Sequence, residues 1–135
     1  TLGLCDEATV TVIIEEGGRK CELCGQEGCL SAYTSGTSFK NVYGVSPSEC
    51  EDQKVWDQYA EKLSLGLINI IADWGPDVII LGGSITKKFE KFFKKPLLDE
   101  LSKQDFFAVP PIVKADLGDN SGIYGGFILL EQSGF

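Results

Sequence analysis

Residues 76–84 read Pro-Asp-Val-Ile-Ile-Leu-Gly-Gly-Ser, which places a short apolar run directly before two glycines. A continuous apolar run of this length is typical of a parallel strand that is buried on both faces. We therefore predict a buried parallel strand at 78–81 and a tight turn at 82–84. The turn would lie at the carboxyl end of the sheet, where open α/β folds bind ligands.

Helical patterns surround this strand. Apolar residues recur every three or four positions from Asp52 to Trp74, which predicts a long amphipathic helix that Gly75-Pro76 ends. The later elements alternate in type: a basic helix at 86–93 that restarts at Pro96, a strand at 112–115, and a helix at 122–130 capped from Asp119, Asn120 or Ser121. This alternation favours an α/β layer with a partly parallel sheet and packed helices.

The first part of the chain contains fewer regular patterns. The β-branched stretch Thr9–Glu16 predicts a strand, and residues 30–36 predict a short helix that ends at Gly36. Residues 37–49 predict a loop with at most a short helical turn. Ser46 or Ser48 could cap the long helix that follows. Three aromatic residues lie on or near the apolar stripe of that helix and are interpreted as packing residues: Trp56, Tyr59 and Trp74.

Three of the five cysteines lie within nine residues, at Cys21, Cys24 and Cys29. Two glycines between them permit a tight loop, and three soft sulfur ligands suit zinc. The sequence contains no histidine, so the candidates for a fourth ligand are Cys5, Cys50, Glu27 and water. We favour Cys5 and expect Cys50 to be a small buried residue. The alternative is a cluster of reduced thiols in an ordinary turn.

The turn Gly82-Gly83-Ser84 is a candidate phosphate site. Two glycines let the backbone approach a phosphate closely, and a following helix start offers unpaired N–H groups. The alternative is a tight strand-to-helix turn that binds nothing. The acidic residues fall on turns and polar helix faces, and none of them has the setting of a general base.

Composition limits the class of protein. A chain of 135 residues with 43% apolar content suits one domain, 1–135, and a net charge of −8 argues against nucleic-acid partners and anionic membranes. No apolar run approaches the ~18 residues that cross a bilayer. An odd number of cysteines fits a reducing compartment, so we expect a cytoplasmic protein. The chain starts at Thr1 and contains no methionine, which predicts a processed product or a fragment.

The ordered motifs resemble the C-terminal half of the ROK family of bacterial repressors and sugar kinases. They are Cys21-x-x-Cys24-Gly25-x-x-Gly28-Cys29-Leu30 with Ala32-Tyr33-x-Ser35-Gly36, then Pro76 to Ser84, then Leu117-Gly118-Asp119-Asn120-x-Gly122-Ile123-Tyr124-Gly125. The resemblance implies one lobe of an actin-like, ribonuclease-H-like kinase. Such a protein binds ATP and Mg²⁺ between two lobes and phosphorylates a sugar hydroxyl with an aspartate base in the N-terminal lobe, which we expect this chain to lack.

Carried over residue by residue, the resemblance implies structural zinc at Cys21, Cys24 and Cys29, and nucleotide contacts at Gly82, Gly83 and Ser84. Ser31 stands where the family has a sugar-binding glutamate. The cysteine loop has one inserted residue, and the family's zinc-binding histidine falls near Thr11.

The resemblance leads to a first hypothesis and leaves two others open. We expect the C-terminal lobe of a glucokinase-like hexose kinase, inactive alone and homodimeric in its full-length form. The alternatives are a non-catalytic relative, either a sugar sensor or a transcriptional regulator, and a free-standing zinc-binding interaction module.

Overall fold

The long helix α3, Gln53–Trp74, organises the fold in a computed structural model that describes residues 16–134. Cys5 and all but the last residue of the predicted strand Thr9–Glu16 lie outside the described residues. The other elements, in chain order, are α1 (Ser31–Thr34), α2 (Gly36–Tyr43), β1 (Ile79–Leu81), a 3₁₀ turn (Ser84–Lys88), a π turn (Phe89–Phe93), α4 (Lys94–Leu101), β2 (Ile112–Lys114), a 3₁₀ turn (Gly118–Asn120) and α5 (Ser121–Gln132).

The predicted long helix is confirmed, but its cap differs from the expectation. The Asp52 carboxylate accepts a hydrogen bond from the Lys54 N–H at 2.9 Å and caps the helix. Ser46 and Ser48 bond each other instead, at 3.1 Å, so neither serine caps α3. Gly75 ends the helix with a φ of 54°, a left-handed conformation that glycine adopts without steric cost.

The prediction for residues 30–49 is wrong in two places. Gly36 does not end a helix; it begins α2, because Ser35 adopts an extended backbone and its hydroxyl accepts a hydrogen bond from the Ser38 N–H at 3.1 Å. Residues 37–43 of the predicted loop therefore belong to a helix of eight residues. Phe39 is its only fully buried side chain, and Tyr43, one turn later, packs partly buried against the same core. Apolar contacts over a single turn are too few to produce a helical period in the sequence.

The two strands form a parallel pair, as predicted, with Ile79 opposite Ile112. These two isoleucines join the buried core, which also contains residues of α3 and α4. On the other face Ile80 is 62% exposed and Val113 is 43% exposed, so the expectation of a strand buried on both faces is wrong. Within residues 16–134 the sheet has two strands, and only one of its faces is covered.

The basic segment after β1 takes three helical forms in succession, and α4 restarts at Lys94, two residues before the predicted position at Pro96. Proline is tolerated in the first turn of a helix because that turn needs few of its N–H groups. Pro96 has no N–H to offer the Phe92 carbonyl, four residues earlier. The Gln53 side chain supplies the donor, at 2.8 Å from Nε2 to the carbonyl oxygen.

Aromatic rings fill the centre of the core around Trp56, which is fully buried. Its ring lies 4.8 Å from that of Phe39 and 5.4 Å from that of Phe93, and its indole N–H donates to the Cys50 carbonyl at 3.2 Å. The packing role predicted for Trp56 and Tyr59 is confirmed. Trp74 is 67% exposed, so the same prediction is wrong there, because the last turn of α3 extends past the core.

The last predicted helix is present as α5, which Asn120 precedes without a side-chain capping bond. Most of its large apolar side chains are exposed: Ile123, Tyr124, Phe127, Ile128, Leu129 and Leu130. None of the helices within the described part of the chain combines the length and apolar character needed to cross a membrane.

Candidate functional site

Three thiols converge in the cysteine loop. The sulfur atoms of Cys21, Cys24 and Cys29 all lie within 4.8 Å of one another, and those of Cys24 and Cys29 are 3.6 Å apart. A tetrahedral zinc ion with Zn–S bonds of about 2.3 Å holds its sulfurs about 3.8 Å apart. The three side chains therefore fit three corners of a zinc site.

Backbone hydrogen bonds build this loop. The Cys21 N–H donates to the Gln26 carbonyl at 2.7 Å, and the Gly25 N–H donates back to the Cys21 carbonyl at 2.9 Å. Gly25 and Gly28 have φ values of 76° and 74°, which side chains rarely adopt. Because the glycines allow these two reversals, the backbone directs all three sulfurs toward one point.

The three cysteines differ in environment. Cys21 and Cys29 are buried, whereas Cys24 is exposed. Burial raises the pKa of Cys29 to about 11. Burial also opposes ionisation of Cys21, but hydrogen bonds from the backbone N–H groups of Cys24 and Leu23, and then from the neighbouring thiols, outweigh it and lower the pKa. A cation bound to the three sulfurs would compensate the charge that burial disfavours.

The structure narrows the choice of a fourth ligand. Cys50 lies in the main core beside Trp56, in a different buried cluster from Cys21 and Cys29, so its expected role as a small buried residue is confirmed. The Glu27 carboxylate does not join the sulfur cluster within the described residues. Cys5, which we favoured, falls outside the described residues.

Ser31 begins α1, two residues after Cys29, and is 6% exposed. Its carbonyl accepts hydrogen bonds from the Ser38 hydroxyl at 2.8 Å and from the Ser35 N–H at 3.3 Å. The predicted sugar-binding position is thus held between the cysteine loop and the start of α2.

The predicted glycine turn joins β1 to the 3₁₀ turn at Ser84–Lys88. Gly83 has a φ of 90°, and its carbonyl accepts a hydrogen bond from the Thr86 hydroxyl at 2.6 Å. Ser84, the next residue, borders a cleft of about 470 Å³, which is lined by Gly36, Pro47, Ser48, Ser84, Lys87 and Lys88. The structure thus brings Ser84, at the end of the glycine turn, and Gly36, at the start of α2, to one cleft.

Lys87 and Lys88 line this cleft, although the sequence predicts only a basic helix face for them. The signal in the sequence is that they lie three and four residues after Ser84. Lys88 also forms an ion pair with Glu51, with 2.7 Å between Nζ and the carboxylate. Two lysines therefore line the cleft with Ser84, and the Glu51 carboxylate offsets part of the charge of Lys88. Lysine side chains beside Ser84 are groups that an anionic ligand could contact.

A family model described as "ROK family" matches residues 10–133. An N-acetylgalactosamine kinase of Shewanella is 27% identical over 121 residues, which cover 78% of this chain and 39% of that protein. A glucokinase of Halalkalibacterium halodurans is 26% identical, with 96% of this chain and 48% of that protein covered.

A solved structure shows the same fold. The ROK hexokinase of Thermus thermophilus superposes with a TM-score of 0.72 at 21% identity, over 93% of this chain and 48% of that chain. The likeness shows that the chain has the same α/β fold as the matched part of that hexokinase. The chain spans less than half the length of each of these three proteins.

Proposed function

Because the chain belongs to the ROK family, we propose that it is the C-terminal lobe of an ATP-dependent sugar kinase whose other lobe precedes it in a longer protein. Two observations support the assignment to a kinase lobe. The curated relatives reported above are sugar kinases, and the chain covers less than half of their length. Their differing substrates leave a hexose or an N-acetylhexosamine as the substrate class.

The observation that carries the proposal is that Ser84, the last residue of the glycine turn, lines the 470 Å³ cleft together with Lys87 and Lys88. We assign nucleotide contacts to Gly82, Gly83 and Ser84. Phosphoryl transfer depends mainly on positioning and on stabilising the charge of the phosphates, so glycines that allow close approach and nearby lysines suit this task. In this proposal the catalytic base and the Mg²⁺ ligands belong to the other lobe, so the lobe formed by this chain should be inactive alone.

Zinc at Cys21, Cys24 and Cys29 would stiffen the loop next to Ser31. The donor set supports zinc, because soft thiolates at this separation are ligands that zinc prefers. Ser31 then contributes to the sugar-site wall. The family resemblance also implies a homodimer, which sedimentation of the full-length protein would test.

The first experiment measures ATP-dependent phosphorylation by the full-length protein with a panel of hexoses and N-acetylhexosamines. We expect turnover with at least one sugar. Absence of turnover with every sugar would refute the kinase assignment. If no sugar is phosphorylated, calorimetry with sugar and with ATP would identify a sugar sensor, because a sensor binds sugar without nucleotide. The sensor is considered because Ser31, which is buried, stands in place of an acid.

A second experiment tests the nucleotide contacts with Gly82→Ala. Gly82 does not have a positive φ, and a Cβ there would meet nothing within 4 Å, so the change should leave the fold intact. A methyl group that faces a bound nucleotide should raise the KM for ATP and leave the KM for sugar unchanged. Gly126→Ala, which is equally open in the structure, is the control. Equal KM values for ATP in both variants would contradict the proposed contact.

A further inference from the structure

Tyr33 connects two parts of the chain that carry metal ligands. Its hydroxyl accepts a hydrogen bond from the Arg19 N–H at 2.7 Å, across fourteen residues of sequence. The side chain is 7% exposed and packs in one buried cluster with Cys21, Cys29 and Ala32. The ring therefore lies against two of the three cysteines, and its hydroxyl holds the segment that leads into the first.

Both the backbone N–H and the backbone carbonyl of Arg19 form hydrogen bonds. While its N–H donates to Tyr33, its carbonyl accepts a hydrogen bond from the Gly28 N–H at 2.9 Å. Arg19 lies two residues before Cys21, and Gly28 directly precedes Cys29. The Tyr33 hydroxyl thus fixes the point at which the two ends of the cysteine loop meet.

The element that carries Tyr33 is itself attached to the core. The Tyr59 hydroxyl of α3 donates to the Thr34 carbonyl at 3.2 Å, at the end of α1. Leu30, at the start of α1, is buried against Gly66 of α3. Tyr33 therefore lies on a segment that contacts α3 at both ends. These contacts restrict the movement of Tyr33 and, through its bond to Arg19, of the cysteine loop.

We propose that Tyr33 is a positioning residue of the metal centre, whose hydroxyl keeps the sulfurs of Cys21 and Cys29 within bonding distance of one cation. The inference rests on the proposed zinc site and goes beyond it, because it gives a role to a residue other than the three cysteines of the cluster. Groups that orient metal ligands through hydrogen bonds change affinity strongly even though they do not touch the metal.

The test compares Tyr33→Phe with the wild type in the full-length protein, using Co²⁺ and Zn²⁺ as probes. The substitution keeps the buried ring and removes only the hydroxyl. We expect Co²⁺ to give the absorption of a tetrahedral thiolate centre in both proteins, with an affinity about three- to tenfold weaker in the variant. Competition against a chelator measures the same ratio for Zn²⁺.

Ser64→Ala is the control, because it removes another buried hydroxyl, which donates to the Glu61 carbonyl at 2.7 Å within α3 and takes no part in holding Arg19 or α1. It should leave the affinity for Co²⁺ unchanged. A Tyr33→Phe protein that binds Co²⁺ as tightly as the wild type would overturn the role of Tyr33 alone. A wild-type protein that takes up neither metal would overturn the zinc site and this role together.

Discussion

Gly66 in α3 lies directly against the side chain of Leu30, the residue that follows Cys29. A Cβ at position 66 would overlap Leu30 Cδ2 and would lie 2.7 Å from Cδ1. Leu30 is 3% exposed and has little room to move. The glycine therefore allows the end of the cysteine loop to approach the long helix closely.

Gly66→Ala should destabilise the fold. Alanine favours a helix interior over glycine by about 1 kcal/mol, but overpacking a buried contact costs about 1–3 kcal/mol, so we expect a net loss of about 1 kcal/mol. Chemical denaturation measures the difference. In a Leu30→Ala background the clash is absent, and the same change should become neutral or stabilising. An equal loss in both backgrounds would show that Leu30 is not the cause.

Cys24→Ser should remove most of the stabilisation by zinc and leave the metal-free fold nearly unchanged. Cys24 is exposed and contributes little to packing, whereas Cys50 is buried beside Trp56. The difference between the melting temperatures with and without a strong chelator gives the part of the stability that depends on metal. Structural zinc sites contribute this part directly to folding. Cys50→Ala should show the opposite behaviour, with lower stability in both conditions and normal zinc content. A zinc-dependent shift that survives Cys24→Ser would contradict the assigned ligand.

Glu51→Gln should weaken the fold slightly at neutral pH, and the difference should vanish in acid. The hydrogen bonds and charges of Lys88 and then Lys91 hold the pKa of the Glu51 carboxyl below its usual range. The carboxyl thus contributes stability above its unfolded pKa of about 4.3 and loses that contribution as pH falls through the lower folded value. Because the pair is exposed, high salt should also reduce the difference.

The measurement is denaturation of the wild type and Glu51→Gln between pH 7 and pH 3. Asp105→Asn is the control, since Asp105 is exposed and forms no ion pair within the described residues. A difference between wild type and Glu51→Gln that stays constant over this pH range would refute the ion-pair explanation.

Gln53→Ala should cost about 1 kcal/mol, because it removes the donor for the Phe92 carbonyl. In a Pro96→Ala background the backbone gains an N–H at position 96, so the loss should shrink. Asp57→Ala leaves the bond between Gln53 and Phe92 in place and removes the exposed contact of Gln53 with Asp57 and the weak attraction between Asp57 and Lys95, so it should cost less. Denaturant midpoints of the wild type, Gln53→Ala, Pro96→Ala and the double variant test the coupling between these two residues. Strictly additive losses for Gln53 and Pro96 would argue against it.

The elements that could be predicted from sequence are those whose apolar residues repeat. The helix Gln53–Trp74 and the parallel strands Ile79–Leu81 and Ile112–Lys114 follow from local patterns that a neighbouring element does not change. Helix α2 is not predicted because its start depends on the Ser35 cap and its packing on Phe39 and Tyr43, which span a single turn. The exposed face of the sheet was missed because burial depends on what covers a strand, which its own residues do not encode.

The cysteine motif and the glycine turn were visible in the sequence because cysteine and glycine have few substitutes for their chemistry. The sequence by itself determined which residues could bind a metal or approach a phosphate. Only the tertiary structure decided that Cys50 stays apart from the other thiols, that Lys87 and Lys88 share a cleft with Gly36, and that Tyr33 holds Arg19. Each of these relationships depends on residues that are separated along the chain, so no local pattern in the sequence shows it.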